Sequence, residues 1–568
     1  MANWQVLKRT NPDLFKHLLE LRGFREEELE PKYEDLLDPF LLPDMDKAVE
    51  IIKQIKEEKK EAVVFGDYDA DGTPGAAVLG IMLEQLGIPC QIIIPTRAEG
   101  YGIKPEVVEK FGAQVGLLIL VDTGIRANAE VKAAHKKSIK VIILDHHLPV
   151  GDLPKADALV DQHLKNSKYS FKGLCGCALA FKLVCALEKS DVGLNNNLSR
   201  WLLDLVAIST VSDMMPLTGE NRILVSYGLK VLTKSRWPGV NALIRTAKID
   251  TAKLSAYSLG FVLGPRLNAT GRLGDNQPAL DLLLTKDAAQ AEELAWKIER
   301  INRERQELVE KLTALCQEEL FKQNNSKDKF FLLKGKDWPM GVVGLVAGRI
   351  AGIFNRPTIV ASESNGVIVG SGRSIPSFSL IDALSAQEKL MVKFGGHKAA
   401  AGLTVESKNW EKFAEGLKKY AEKQIDKKDL TPKIIGEAVL ASEEITLEVA
   451  TELEQLAPFG SGNPTPRLIL ENVEVTSVTP LGQKGDHLRM NGIITAENGM
   501  KTDLEMIGFG ITKKFPKTLG HFDFLGTLEI NRWNGRERLQ YRIFEHRKVG
   551  DKIEEIEKAE EVEEALVD

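Results

Sequence analysis

Residues 61–72 read EAVVFGDYDADG. A run of β-branched and aromatic residues breaks off into three aspartates at alternate positions, Asp67, Asp69 and Asp71, and an apolar helical run, GAAVLGIMLEQLG (75–87), follows. The same alternation returns three times: CQIIIP (90–95) then PEVVEKFG, VGLLILVDTG (115–124) then NAEVKAAHKKS, and finally KVIILDHH (140–147). Continuous apolar strands separated by helices predict a parallel sheet covered on both faces. In such sheets ligands gather beyond the carboxyl ends of the strands. Those ends carry Asp67, Asp69 and Asp71, then Asp122, then Asp145, His146 and His147, and Asp213 closes the apolar helical run LLDLVAISTVSD (202–213).

One such aspartate is an ordinary turn former or helix cap. Crowded at one sheet edge they repel, raising one another's pKa unless cations neutralise them. Mixed carboxylate and imidazole donors suit Mn²⁺ or Mg²⁺ better than a thiolate-seeking metal. Two such ions about 4 Å apart activate water and clamp an attacked phosphorus. The pattern therefore points to a metal-dependent phosphoesterase.

Outward from this core the texture changes. Residues 172–325 read mostly helical and end in a long charged helix, TKDAAQAEELAWKIERINRERQELVEKLTALCQEELFKQ, without Gly or Pro. A second α/β unit follows: KFFLLKG, VVGLVAGRIAGIF, TIVAS, GVIVGSGRS and a glycine turn in KFGGHKAAAG. Past Pro432, short alternating strands (LILENVEVTSV, DHLRMNGIITA, TDLEMIGFG, FDFLGTLEINRW) predict a small antiparallel barrel. The predicted organisation is an N-terminal segment and catalytic domain over 1–285, a connecting helix over 286–326, a smaller α/β domain over 327–430, a barrel over 431–548 and an acidic tail over 549–568. That tail carries nine acids against two lysines in its last eighteen residues and reads as a solvated or frayed helix.

The 568 residues carry 75 Lys+Arg against 81 Asp+Glu, a net charge of −6, which excludes a uniformly basic coat but not one basic groove. With 43% hydrophobic and 27% charged residues, the chain is an ordinary globular protein of several domains. No apolar run approaches the roughly 18 residues of a membrane span, and the N-terminus lacks a signal-peptide core. Cys90, Cys175, Cys177, Cys185 and Cys316 do not form a disulfide framework. A cytoplasmic protein is expected, with Cys175 and Cys177 as core residues.

GSGRS offers Gly370, Ser371, Gly372 and Arg373 as a glycine turn with free N–H groups and a guanidinium, a phosphate nest. In the terminal barrel, Lys484, His487, Arg489, Arg532, Trp533, Arg536, Arg538, Tyr541 and Arg542 mix cations with aromatics, as backbone tracking and base stacking require.

GDYDADG, VDTG, DHH and SDMMPL, in this order, resemble the four motifs of the DHH phosphoesterase superfamily. GPRLNATGRLGD, GVVGLVAGRIAGIFNRP, GSGRS, FGGHKAAAG and LAPFGSGNPTP are similar to its bacterial single-strand-specific exonucleases, a resemblance that runs from LLDPFLLPDMDKAV (36–49) through the barrel. The resemblance implies an α/β fold: a parallel-sheet DHH domain, a smaller DHH-associated domain across a cleft, and an OB-type barrel forming one wall. It implies that Asp69, Asp71, Asp122, His146 and Asp213 ligate two divalent ions, Mn²⁺ or Mg²⁺, with Asp122 bridging. It further implies that His147 meets the scissile phosphate or attacking water while Asp145 orients a neighbouring histidine. Arg266, Asn268 and Arg349, with Ser371, Gly372, Arg373, Gly396 and His397, become phosphate or backbone contacts. Phe65 departs from a position where many relatives carry His, leaving Asp67 or water to complete one site. Pro74 departs from the usual Thr-Ser or Thr-Gly step and is expected at the first helical position.

The implied activity is 5′-to-3′ hydrolysis of single-stranded DNA in repair and recombination, by a monomer partnered by a single-strand-binding protein and a helicase. Two other readings stay open: a phosphodiesterase of the same superfamily for cyclic dinucleotides or very short oligonucleotides, and a catalytically inactive DNA-binding scaffold. The barrel argues against the first and the four acidic motifs against the second.

Overall fold

The computed structural model describes residues 3–557 except 191, 196, 323–326, 483–484, 497, 513–514, 516–518, 534 and 551–552. It forms two units, residues 32–430 and residues 1–31 with 431–568. Strand β1 (Asn3–Leu7) therefore opens the chain but belongs to the second unit.

In the first unit β2 (Glu61–Gly66), β3 (Cys90–Ile93), β4 (Val115–Val121), β5 (Lys140–Leu144) and β6 (Ala158–Val160) form a sheet ordered β3-β2-β4-β5-β6. Every pairing is parallel. Alternate residues of β4 serve two cores. Leu117, Ile119 and Val121 face helices α1 (Gly72–Gln85), α2 (Gly176–Glu188) and α3 (Leu198–Ser212), whereas Leu118 and Leu120 pack with Ile125, Val131 and Ile143. Each such side chain contributes about 1.5–3 kcal/mol by leaving water, so the strand ends are held by a sheet that cannot slip. Phe65 lies in the second cluster, 2% exposed, and is a core residue. Pro74 stands third in α1, still in the first turn where the missing N–H costs nothing.

Helix α4 (Ala288–Lys322) runs 35 residues, about 50 Å at 1.5 Å per residue. Its first half joins the main core through Ala291, Ala295 and Ile298; its second half packs Val309, Leu312, Cys316 and Leu320 against the smaller α/β domain. There α5 (Met340–Phe354) covers a sheet of β7 (Phe331–Lys336), β8 (Thr358–Ser364), β9 (Val367–Arg373), β10 (Met391–Gly396) and β11 (Ala400–Glu406), ordered β10-β11-β9-β8-β7. This corrects the nest expected at GSGRS. Gly370–Arg373 lie inside β9, paired with both β8 and β11, so the ladders take up the backbone groups.

The second unit contains β12 (Lys433–Gly436), β13 (Ala438–Val439), β14 (Leu468–Leu481), β15 (His487–Thr495), β16 (Lys501–Gly508), β17 (Gly520–Trp533), β18 (Arg536–Lys548) and β19 (Glu554–Ile556). The order β14-β15-β16-β18-β17 closes by β14–β17 pairing into a five-stranded barrel. β1 lies parallel between β12 and β19. The start of the acidic tail is thus a strand instead of a frayed helix. Its acids find partners on β1 and just beyond it: Gln5 donates to Glu554 at 2.7 Å, and Lys8 pairs with Glu557 at 2.8 Å.

Candidate metal centre

Parallel strands deliver their ends to one edge, and there the acids meet. The residues Asp67, Asp69 and Asp122 form one group whose ligand atoms all lie within 4.8 Å of one another; Asp71, His146 and Asp213 form a second, and Asp122, His146 and His147 a third. Asp122 and His146 are each shared by two of these groups. His146 Nε2 stands 3.1 Å from Asp122 Oδ1, 3.6 Å from Asp213 Oδ2 and 3.7 Å from Asp71 Oδ2.

Local structure fixes each group. Asp69 accepts from the Asp71 and Gly72 N–H groups at 2.8 and 3.0 Å, capping α1. Asp71 is clasped from the opposite side: it accepts the N–H of Gly176 at 2.6 Å and of Cys177 at 2.8 Å, at the positive end of α2, and the Ser209 hydroxyl on α3. A Cβ on Gly176 would fall 2.6 Å from Asp122 Cβ, so only glycine lets α2 approach both carboxylates. Asp122 has φ +58°, a left-handed conformation costing a non-glycine residue roughly 1–2 kcal/mol and concentrated at functional sites. Asp145 is fully buried, accepts from Ile125 N–H at 2.8 Å and holds His147 Nδ1 at 2.8 Å.

The electrostatics fit cations. Burial, then repulsion from Asp69, pushes Asp67 up to about 7. Burial, then Asp71, Asp69 and Asp67, pushes Asp213 up to about 9. Asp122 is driven well above the carboxylate range by burial and by Asp71. Asp67 Oδ1 and Asp213 Oδ2 are buried without a hydrogen-bond partner. Oxygen-rich donors, mutual repulsion and orphaned acceptors together are what a hard divalent ion resolves. Burial lowers His146 toward the neutral form a ligand requires. His147 moves the other way: burial opposes its charge, but the Asp145 hydrogen bond and charge prevail.

Beyond the carboxylates lies an arginine cluster that sequence reading missed in part. Arg272 is lowered to about 10 by burial and by Arg97, Arg305 and Arg373; burial likewise lowers Arg305, helped by Arg266 and Arg349. Arg272 donates to the Gly341 carbonyl at 3.2 Å, and Arg97 lies 4.6 Å over the Tyr68 ring. Guanidiniums brought together against their mutual repulsion make this a strongly positive cluster of a kind that suits anions. Arg373 donates to Ser371 Oγ and the Gly372 carbonyl on β9. Gly396 and His397 lie at an exposed hairpin turn between β10 and β11. Two expected contacts are otherwise engaged. Asn268 accepts from the Ala70 N–H at 2.9 Å, bracing the first aspartate loop, and Arg266 pairs with Glu299 at 2.8 Å. Tyr101 was also missed; its hydroxyl donates to the Asp122 carbonyl at 3.1 Å. It was missed because no pattern marks a loop aromatic that acts through the backbone.

On the barrel, Arg489, Trp533, Arg536 and Arg538 line an open groove of about 540 Å³ with Glu505 and Asn531, and Trp533 is 68% exposed. Arg532 turns instead to Glu454 and Glu537, and His487 accepts from the Gly510 N–H. Tyr541 is core, its hydroxyl donating to Leu468 O, and Arg542 pairs with Glu529. Lys484 lies outside the described residues. Among those residues no helix is long and apolar enough to cross a membrane.

Carboxylates at a parallel sheet edge, with a cluster of arginines alongside drawn from both α/β domains and the helix between them, define a phosphoesterase of the DHH class. Residues 61–210 match the model of the DHH family N-terminal domain, 327–424 the DHHA1 domain and 437–545 the RecJ OB domain. Relatives described as single-stranded-DNA-specific exonuclease RecJ include those of Dickeya dadantii, 37% identical over 83% of this chain and 87% of its own, and of Bacillus subtilis, 35% identical over 93% of this chain and 67% of its own. The crystal structure of RecJ from Thermus thermophilus in complex with Mn²⁺ superimposes with a TM-score of 0.82 at 29% identity, covering 97% of this chain and 80% of that one. The chain belongs to the RecJ family.

Proposed function

We propose that this protein is a metal-dependent exonuclease of single-stranded DNA, acting 5′ to 3′ in repair and recombination. The observation that carries the reading is the joint presence of three convergent groups of aspartate and histidine and a half-buried arginine cluster in one unit. Asp67, Asp69, Asp71, Asp122, His146 and Asp213 would hold two divalent ions, Mn²⁺ or Mg²⁺. When bound, such ions polarise the phosphodiester and lower the pKa of water. The protein's own groups do the rest. Asp145 holds His147 Nδ1–H, so that Nε2 can take a proton from the attacking water when the ring is neutral and donate to the scissile phosphate when it is protonated. Arg97, Arg272, Ser371 and Arg373 hold phosphate without reading sequence, and the barrel groove adds sequence-tolerant stacking and charge. The named function of the relatives supports the substrate; the motif resemblance alone supports the polarity. The implied setting is a cytoplasmic monomer beside a helicase and a single-strand-binding protein.

End-labelled single strands of DNA and RNA, incubated with Mn²⁺ or Mg²⁺, test it. A 5′ label should leave at once as a mononucleotide while 3′-labelled DNA shortens progressively, and EDTA should stop both. Release of a 3′ label first refutes the polarity, and cleavage confined to dinucleotides refutes the nuclease.

A further inference from the structure

Two large aromatic rings stand exposed where nothing in their own unit requires them. Tyr257 is 65% and Phe261 68% exposed, and their rings stack with centroids 4.9 Å apart and planes 21° from parallel. Tyr257 immediately precedes, and Phe261 lies within, a π-helical segment, Ser258–Leu263, that leads into the helix Gly264–Leu273. π-Turns are rare and recur at functional sites.

This segment is built onto the metal edge. A Cβ on Gly264 would lie 2.1 Å from Ser212 Oγ, so the backbone presses on the residue just before Asp213. On its other side it meets positive charge. Arg266, itself paired with Glu299, donates to the Val262 carbonyl at 2.7 Å, and Arg266 and Arg349 both lie near enough to Arg305 to disfavour its charge. A pair of exposed aromatic rings on a segment that abuts both the residue before Asp213 and Arg266 matches a polymer with an anionic backbone and flat apolar faces.

We propose that Tyr257 and Phe261 form a stacking subsite for nucleobases of a single strand whose backbone passes the neighbouring arginines. The proposal rests on the exonuclease reading and deepens it, because it assigns positioning residues that touch bases instead of phosphates. Stacking on a side chain tolerates any base but demands that a base be present.

Full-length protein, its Tyr257→Ala/Phe261→Ala variant and the single variants Phe261→Trp and Phe261→Leu are compared. Oligonucleotides carrying one abasic nucleotide at successive positions are bound in EDTA, and cleavage is followed separately with Mn²⁺. In the wild type, one or two adjacent positions should be sensitive, an abasic nucleotide there weakening binding about 10-fold. The double variant should bind intact strands about 10-fold or more weaker and be indifferent to the abasic nucleotide at those positions. Phe261→Trp should retain the sensitivity and Phe261→Leu should lose it, separating stacking from mere apolarity. A double variant with the wild-type profile overturns the subsite while leaving the exonuclease intact. A wild type that neither binds nor cleaves single-stranded DNA overturns the exonuclease reading itself, and the subsite with it.

Discussion

The carboxylate edge and the barrel groove are held in opposite ways. At the edge, Asp71 is fixed by two backbone N–H groups and a serine hydroxyl, Asp145 is fully buried, and Asp122 is kept in a left-handed conformation. In the groove, Trp533 is 68% exposed and the neighbouring arginines line open space. Chemistry on a phosphodiester needs donors fixed to a fraction of an ångström, whereas tracking a flexible strand needs many weak contacts that can be remade. Changes at the edge should therefore act almost all-or-none, and changes in the groove by degrees.

The largest effect should come from Asp122→Ala, with cleavage falling on the order of 10³-fold or more while single-strand binding in EDTA stays within a few-fold. Equal losses of binding and cleavage would erase the contrast between the regions. Next is Ser209→Ala, which removes one clasp on Asp71. Supporting residues of this kind typically cost about 10–100-fold in metal affinity, read as a raised Mn²⁺ half-saturation. Restoration by Ser209→Cys, a weaker donor, should be partial.

Arg373→Ala deletes a charge-assisted grip of about 1.5–3 kcal/mol. Binding should weaken about 10–100-fold, and the slope of log affinity against log salt should shallow by about one. An unchanged slope would make Arg373 a purely structural part of β9. Trp533→Ala should cost about 1–3 kcal/mol on long strands and leave di- and trinucleotide hydrolysis unaltered; an equal loss on both would tie the barrel to the chemistry. The smallest effect is on stability. Asp67 and Asp213 are raised to about 7 and about 9, so the metal-free fold binds more protons than the unfolded chain. That contribution is complete below the ordinary carboxylate range and is lost as pH rises through the raised values. The Tm of metal-free protein should fall between pH 6 and 9, and Mn²⁺ should reverse the fall.

Much of the edge was legible because β2, β4 and β5 are continuous apolar runs followed at once by Asp or His, so sheet position and chemistry are written in one place. The arginine pocket was less legible. Arg97 stands in a loop and Arg272 near a helix end, and only tertiary packing brings them together with Arg305 and Arg373. GSGRS misled because glycines signal turns locally, while here they line a central strand between two neighbours. The acidic tail misled because charge periodicity says helix, yet β1 offers an open strand edge that takes Glu554–Ile556 as β19. β1 also pairs with β12, so a cut near Lys433 would strip β1 of that partner, and point changes probe the barrel more cleanly.

The proposed metal assignment places Asp122, at the end of β4, within reach of both ions. Mn²⁺ titration of the full chain without DNA, read by the loss of the free-ion resonance signal, tests it directly. Two bound ions per chain are predicted, with both weakened together in Asp122→Ala. A single ion per chain, or two ions whose affinities Asp122→Ala leaves unchanged, would contradict it.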